Sequence, residues 1–167
     1  DISGNGNNST LVNGVEFNGG SKALIFDGTD DRGDSSYYTA TDFSDNQSFT
    51  INALVNVVSS DTSGNGRGGI LVNQRYQSEP DPGGFGLNIQ HQNYCINLTS
   101  GSGAGATSHQ YLAPTAINYN KIEYITAIWD ESENTTKIYR NGKLVNSSTN
   151  SNYGWTARST GLTQRIG

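Results

Sequence analysis

A chain of 167 residues with a formal net charge of -5 and only 15% charged side chains is long enough to bury one sizeable core, and it carries no basic footprint for nucleic acid. No run approaches the ~20 apolar residues of a membrane span, while 10% aromatic residues are too many for a flexible linker. A single cysteine, Cys95, excludes an internal disulfide, and together with His91 and His109 it cannot complete a His/Cys zinc site.

In chain order, Asp1 to Thr10 is a turn-rich opening of Gly, Asn and Asp. The chain starts at Asp1 rather than Met and reads as processed or as a fragment. Leu11 to Phe17 alternates as one strand, and Lys22 to Gly28 is a short apolar strand stopped by Asp27-Gly28-Thr29-Asp30-Asp31. Phe43 and Asn46 bracket a further turn. In Ser48 to Val58 both parities are largely apolar, which predicts a central strand covered on both faces. Asp61 to Gly69 is a Gly-rich loop, Gly69 to Arg75 a strand, and Gln77 to Gly84, with Pro80 and Pro82, a loop. Phe85 to Gln90 and Tyr94 to Leu98 pair through His91-Gln92-Asn93, with Cys95 as a small buried hydrophobe. Ser100 to Thr107 is turn. Ile122 to Trp129, Thr136 to Arg140 and Lys143 to Val145 complete the regular pattern, with Asn141-Gly142 as a tight hairpin. Helical periodicity is absent, so many short strands spaced by turns predict an all-β sandwich of two antiparallel sheets in one domain, residues 1–167.

Four pieces, Asp1 to Asn8 (DISGNGNN), Ala23 to Asp31 (ALIFDGTDD), Ser48 to Val55 (SFTINALV) and Lys137 to Val145 (KIYRNGKLV), give the chain a resemblance to the laminin G-like, concanavalin A-like lectin/glucanase superfamily. The third piece has Leu54 where that family usually has Trp. The resemblance implies a jelly-roll sandwich that binds glycans or cell-surface proteins through rim loops or a concave face, often with calcium. It also implies a strand pair after Arg165-Ile166-Gly167. Without it an edge would stay unpaired, to be filled by more of the domain or by another polypeptide.

Recognition of a sugar needs a flat ring against its C–H face and planar polar groups for its hydroxyls. The candidates are Arg75, Tyr76, Asn88, His91, Tyr94 and Trp155. Asn88 and Gln90 share one strand face, and Phe85, Leu87 and Ile89 the other; such a polar face fits a ligand-facing concave sheet and equally a solvent-facing one. Trp129 reads as core. Asp27, Asp30 and Asp31 offer hard oxygens suited to Ca2+, or caps for their own turn. From the resemblance, Asp1 and Asp81 are further calcium candidates.

Catalysis is poorly supported. Glycosidases need two carboxylates about 5 to 10 Å apart, whereas Glu131 and Glu133 flank a turn and Glu16 and Glu123 lie alone in alternating strands. The expectation is a non-catalytic carbohydrate-binding or adhesion module at an extracellular, cell or virion surface. The alternatives are a structural or assembly domain and a polysaccharide-degrading enzyme.

Overall fold

A computed structural model describes residues 6, 8–35, 48–58, 67–74, 84–100, 107–149 and 164–167. Every regular element among the described residues is a strand. Among those residues the larger sheet has seven strands in the order β1 (Ser9–Val12), β4 (Arg32–Ser35), β13 (Gln164–Ile166), β6 (Arg67–Gln74), β7 (Gly84–Gln90), β8 (Asn93–Ser100) and β9 (Thr107–Leu112). The smaller has four, in the order β12 (Lys143–Thr149), β11 (Thr135–Arg140), β10 (Ile122–Asp130) and β5 (Phe49–Asn56). A separate hairpin joins β2 (Glu16–Asn18) to β3 (Ala23–Ile25). All the pairings are antiparallel, the geometry of a concanavalin A-like jelly roll.

Side-chain alternation builds the core between the sheets. Phe85 and Leu87 of β7, with Tyr94, Ile96 and Leu98 of β8, meet Phe49 and Ile51 of β5, Ile125, Ala127 and Trp129 of β10, and Ile138 of β11. The Phe49 and Phe85 rings touch across the layers, centroids 4.6 Å apart. Each large apolar side chain sealed here contributes about 1.5–3 kcal/mol. Trp129 and Cys95 are buried, as their patterns predict.

Two hairpins are set by residues that tolerate positive φ. Asn141 and Gly142 take 50° and 77°, the type I′ turn that the Asn-Gly pair predicts. His91 and Gln92 take 48° and 63°, the same turn; histidine is among the residues enriched at positive φ, whereas glutamine has no such preference. The register Gln90↔Asn93 closes the strands directly around it, so two-residue geometry is imposed by strand pairing.

The structure corrects two expectations. Leu11 to Phe17 is not one strand: Asn13 and Gly14, at φ 67° and 106°, turn the chain and separate β1 from β2. Ser48 to Val58 is not covered on both faces. Among the described residues β5 is an edge strand with a neighbour, β10, on one side only, and Thr50, Asn52, Leu54 and Asn56 point to solvent. The even-numbered positions carry one leucine among polar residues, which is why that face stays open.

Candidate functional site

The seven-stranded sheet turns a polar second face away from the core. On β7 it carries Gly86, Asn88 and Gln90, and on β8 Asn93, Cys95 and Asn97, with Asn88 opposite Cys95, Gly86 opposite Asn97 and Gln90 opposite Asn93. The parity matches the sequence reading, but the face is not solvated: Asn88 is 7% exposed, and Gln90 and Asn97 4% each. Asn88 Nδ2 and Gln90 Oε1 are enclosed with no hydrogen-bond partner. An unpaired buried polar atom costs about 1–3 kcal/mol, so this donor and this acceptor favour any ligand hydroxyl or water that pairs them.

Local sequence shapes this floor. A Cβ added at Gly86 would stand 2.8 Å from Asn88 Nδ2, so the glycine leaves room for the amide to lie over it. The Cys95 thiol donates to Asn97 Oδ1 at 3.1 Å and occupies that acceptor. Asn97 is therefore a buried structural residue, although it begins an Asn-x-Thr triplet. At the hairpin end, Gln90 Nε2 approaches His91 Nε2 at 3.4 Å and Asn93 Nδ2 donates to the His91 carbonyl at 2.8 Å. Asn88, Gln90 and exposed His91 thus form one row leading from the floor to the sheet end.

Tyr94 belongs elsewhere, and its assignment as a sugar platform is corrected. It is wholly buried on the core face of β8, where no sugar can stack on its ring. Its hydroxyl donates to Glu123 Oε2 at 2.8 Å. Glu123, 1% exposed, is not alone either: Oε1 accepts from Asn118 Nδ2 at 2.9 Å and from Arg140 Nε, while Arg140 Nη1 donates to the Ala116 carbonyl at 2.9 Å. Desolvation pushes the Glu123 carboxyl up, but hydrogen bonds from Tyr94, Arg140 and Asn118 outweigh it and hold the group below its ordinary value. Burial, then the Glu123 hydrogen bond and charge, raise the Tyr94 hydroxyl well above its own. The segment 113–121 anchored by this network also bonds the hairpin end, through Ala113 N to the Tyr94 carbonyl at 2.8 Å and Ile117 N to the Gln92 carbonyl at 2.9 Å. The buried charges therefore brace the turn that presents His91.

Asp27, Asp30 and Asp31 converge, with one carboxylate oxygen of each within 4.8 Å of the others. Much of their bonding serves the turn. Asp27 Oδ1 accepts from Thr29 N at 2.8 Å and Asp30 N at 3.4 Å, and Asp31 Oδ2 accepts from Asp27 N at 3.0 Å. The Thr29 amide is the main reason the Asp27 carboxyl lies below its ordinary value. Asp31 Oδ1 is enclosed without a donor, which leaves an oxygen for a hard cation. Arg75, Tyr76, Trp155, Asp1 and Asp81 lie outside the described residues.

A groove of about 270 Å³ opens on the other sheet, lined by Ser48, Phe49, Thr50, Ile128, Trp129 and Asp130; none of the polar-face residues reaches it. Among the described residues no helix is long and apolar enough to cross a membrane, which leaves β-barrel spans untouched.

The laminin G-type profile of the Concanavalin A-like lectin/glucanases superfamily matches residues 27–167, and the chain belongs to this family. No curated protein matches it by sequence. Among solved structures it is similar to the Ruminococcus gnavus IT-sialidase CBM40 bound to alpha2,3 sialyllactose, at 18% identity and a TM-score of 0.55, over 77% of this chain and 66% of that one. It is also similar to a botulinum neurotoxin type C whose cell entry depends on interaction with two ganglioside molecules, at 17% identity and a TM-score of 0.59, over 96% of this chain and 38% of that one. Alginate lyase AlyC3 is a third, at 14% identity and a TM-score of 0.52, over 92% and 70%. The chain thus spans just under two thirds of the CBM40 structure's length. At these identities the likeness is one of fold, which hosts both binding modules and enzymes.

Proposed function

We propose that this chain is a non-catalytic carbohydrate-binding module acting outside the cell, with the Asn88–Gln90–His91 row as the contact for glycan hydroxyls. The observation that carries the reading is the pairing of Asn88 Nδ2 and Gln90 Oε1, an enclosed donor and an enclosed acceptor two residues apart on one strand face and both without partners. A sugar hydroxyl donates and accepts at once, so hydroxyls of a glycan can satisfy both atoms. Entry is from the exposed His91 end, because the floor itself is closed. Two structural neighbours are described with sialyllactose and with gangliosides, which supports including sialylated glycans among the ligands. Glu123, the one carboxylate buried among the described residues, is committed to Arg140, which supports a binding rather than a hydrolytic role.

A glycan array with neutral and sialylated glycans tests the reading. Binding is expected for the wild type and is weakened about tenfold by Asn88→Ala or Gln90→Ala, the loss of about one hydrogen bond. No binding at all, with folded protein confirmed by circular dichroism, contradicts it and favours a structural domain.

A calcium ion at Asp27, Asp30 and Asp31 is a secondary part of the proposal, supported by the open Asp31 Oδ1. Three carboxylates supply fewer oxygens than the six to eight that Ca2+ takes, so water or backbone carbonyls would complete the shell. Calcium titration followed by calorimetry should show saturable binding that Asp31→Asn removes; an unchanged heat trace leaves the carboxylates as turn caps only.

A further inference from the structure

Resting on the glycan-binding role, we propose that Arg32 and Arg165, held together by Asp34, form a site for the oxyanion of an acidic glycan, a carboxylate or a sulfate ester. Strand pairing places the three side chains. β4 alternates, with Gly33 and Ser35 buried and Arg32 and Asp34 half-buried on the other face. Arg165 of β13 stands directly opposite Asp34, which puts Arg32 on its diagonal, about 7–8 Å away. The same row continues through Val72 of β6 to Gly86 of β7 and Asn97 of β8. Residues in one row share a face. Both arginines therefore lie on the polar face that carries Asn88 and Gln90, and β13 is two strand spacings, about 10 Å, from β7.

The bonding leaves most of each guanidinium unused. Arg32 Nε donates to Asp34 Oδ2 at 3.0 Å, and Arg165 Nε donates to Asp34 Oδ1 at 3.1 Å. One carboxylate is divided between two cations, so neither makes the two parallel bonds of a guanidinium fork. A guanidinium has five N–H donors. Among the described residues, the Nη groups of Arg32 and Arg165 have no protein partner. Two cations and one carboxylate leave a local positive charge in a chain whose formal net charge is -5. Asp31, the acid next to Arg32 in sequence, turns Oδ2 to the Asp27 amide instead. Both side chains are open to a ligand, Arg165 at 57% exposure and Arg32 at 34%.

Chemistry selects the occupant. A guanidinium stays charged and offers donors only, so it favours an anion with several acceptor oxygens over a neutral hydroxyl. An oxyanion spanning the two sets of Nη groups would also offset the repulsion of two cations that share one counter-charge. Exposed ion pairs add little to stability, so support of the fold accounts poorly for two arginines on one aspartate. A ligand held both here and at the amide row is an acidic oligosaccharide, with its acid group on a sugar beside the one whose hydroxyls meet Asn88 and Gln90.

Calorimetry at low salt with lactose, sialyllactose and a sulfated lactose tests the proposal. At least one acidic probe should bind about tenfold more tightly than lactose, the gain from charge-assisted hydrogen bonds. Arg165→Gln and Arg32→Gln should each bring the acidic and neutral affinities to within about twofold of one another, with folding checked by circular dichroism. Asn88→Ala should instead weaken all three probes alike, which separates loss of the amide row from loss of the acid site. Inorganic sulfate reads the arginine pair without any sugar. The Nε–H NMR signals of Arg32 and Arg165 should shift together and saturate, and Arg32→Gln should remove the saturable shift at Arg165. Equal affinity for neutral and acidic probes overturns the proposal, as does an acid preference that survives both variants. Should no sugar bind, the glycan-binding role falls; saturable sulfate shifts at both arginines would still support the anion site, and their absence would overturn it.

Discussion

The Tyr94 hydroxyl donates to Glu123 Oε2 across 2.8 Å and so ties β8 of the larger sheet to β10 of the smaller. Arg140 and Asn118 hold the other carboxylate oxygen, and through them the segment that braces the His91 turn. Removing the carboxylate leaves a guanidinium and a hydroxyl buried without their acceptor. Glu123→Ala should therefore cost about 3–5 kcal/mol, the range for breaking a buried pair, whereas Tyr94→Phe, which removes one donor, should cost about 1–3 kcal/mol. Urea denaturation checks both, and near-equal small losses would show the network to be weakly coupled to folding.

The same carboxyl sets an acid limit. Its folded-state pKa is below the ordinary glutamate value, so its stabilisation is complete above the unfolded pKa of about 4.3. It is lost as pH falls through the lower folded value. Glu123→Gln lacks this contribution. The stability gap between wild type and Glu123→Gln should be constant from pH 7 to about 5 and shrink below about 4. Thermal melts over that range measure it; a gap that widens on acidification would reverse the sign.

Gly86 matters for space. The Cβ of Gly86→Ala would stand 2.8 Å from Asn88 Nδ2, so the amide must leave its place over the strand. Glycan affinity should fall by a factor similar to that of Asn88→Ala, about tenfold for one hydrogen bond. Chemical shifts of the core residues Ile96 and Ile138, on the other side of the sheet, should stay in place. Isothermal titration calorimetry and a methyl NMR spectrum together check the expectation.

Core and edge should respond differently to truncation. Trp129→Ala empties a site between the sheets and should cost about 3–5 kcal/mol. Leu54→Ala, on the open side of β5, should change monomer stability by no more than about 0.5 kcal/mol. Urea denaturation of the two variants separates these outcomes.

Alternation made most of the sandwich legible. It placed β7, β8, β10 and β11 and sorted Asn88 and Gln90 from Phe85 and Leu87, because a period of two fixes which face a side chain takes. It failed where position in the sheet, not sequence, decides exposure. Ser48 to Val58 reads as central, yet among the described residues β5 has one neighbour, β10, and nothing local says how many neighbours a strand has. Arg32 to Ser35 and Thr107 to Leu112 are strands without apolar alternation, held by pairing with β1, β13 and β8. Tyr94 looked like a sugar platform beside His91, but it has the parity of Ile96 and Leu98; that parity was the available signal for its burial. The partners of Glu123 lie 5, 17 and 29 residues away and leave no local mark.

The most direct test of the central claim is a ¹⁵N NMR titration of the folded chain with α2,3-sialyllactose and, separately, with lactose. The account predicts that the side-chain amides of Asn88 and Gln90 and the backbone of His91 shift in a saturable way with at least one of the two sugars. Shifts confined to the outer face of β5 and β10, or none at millimolar sugar, would contradict it.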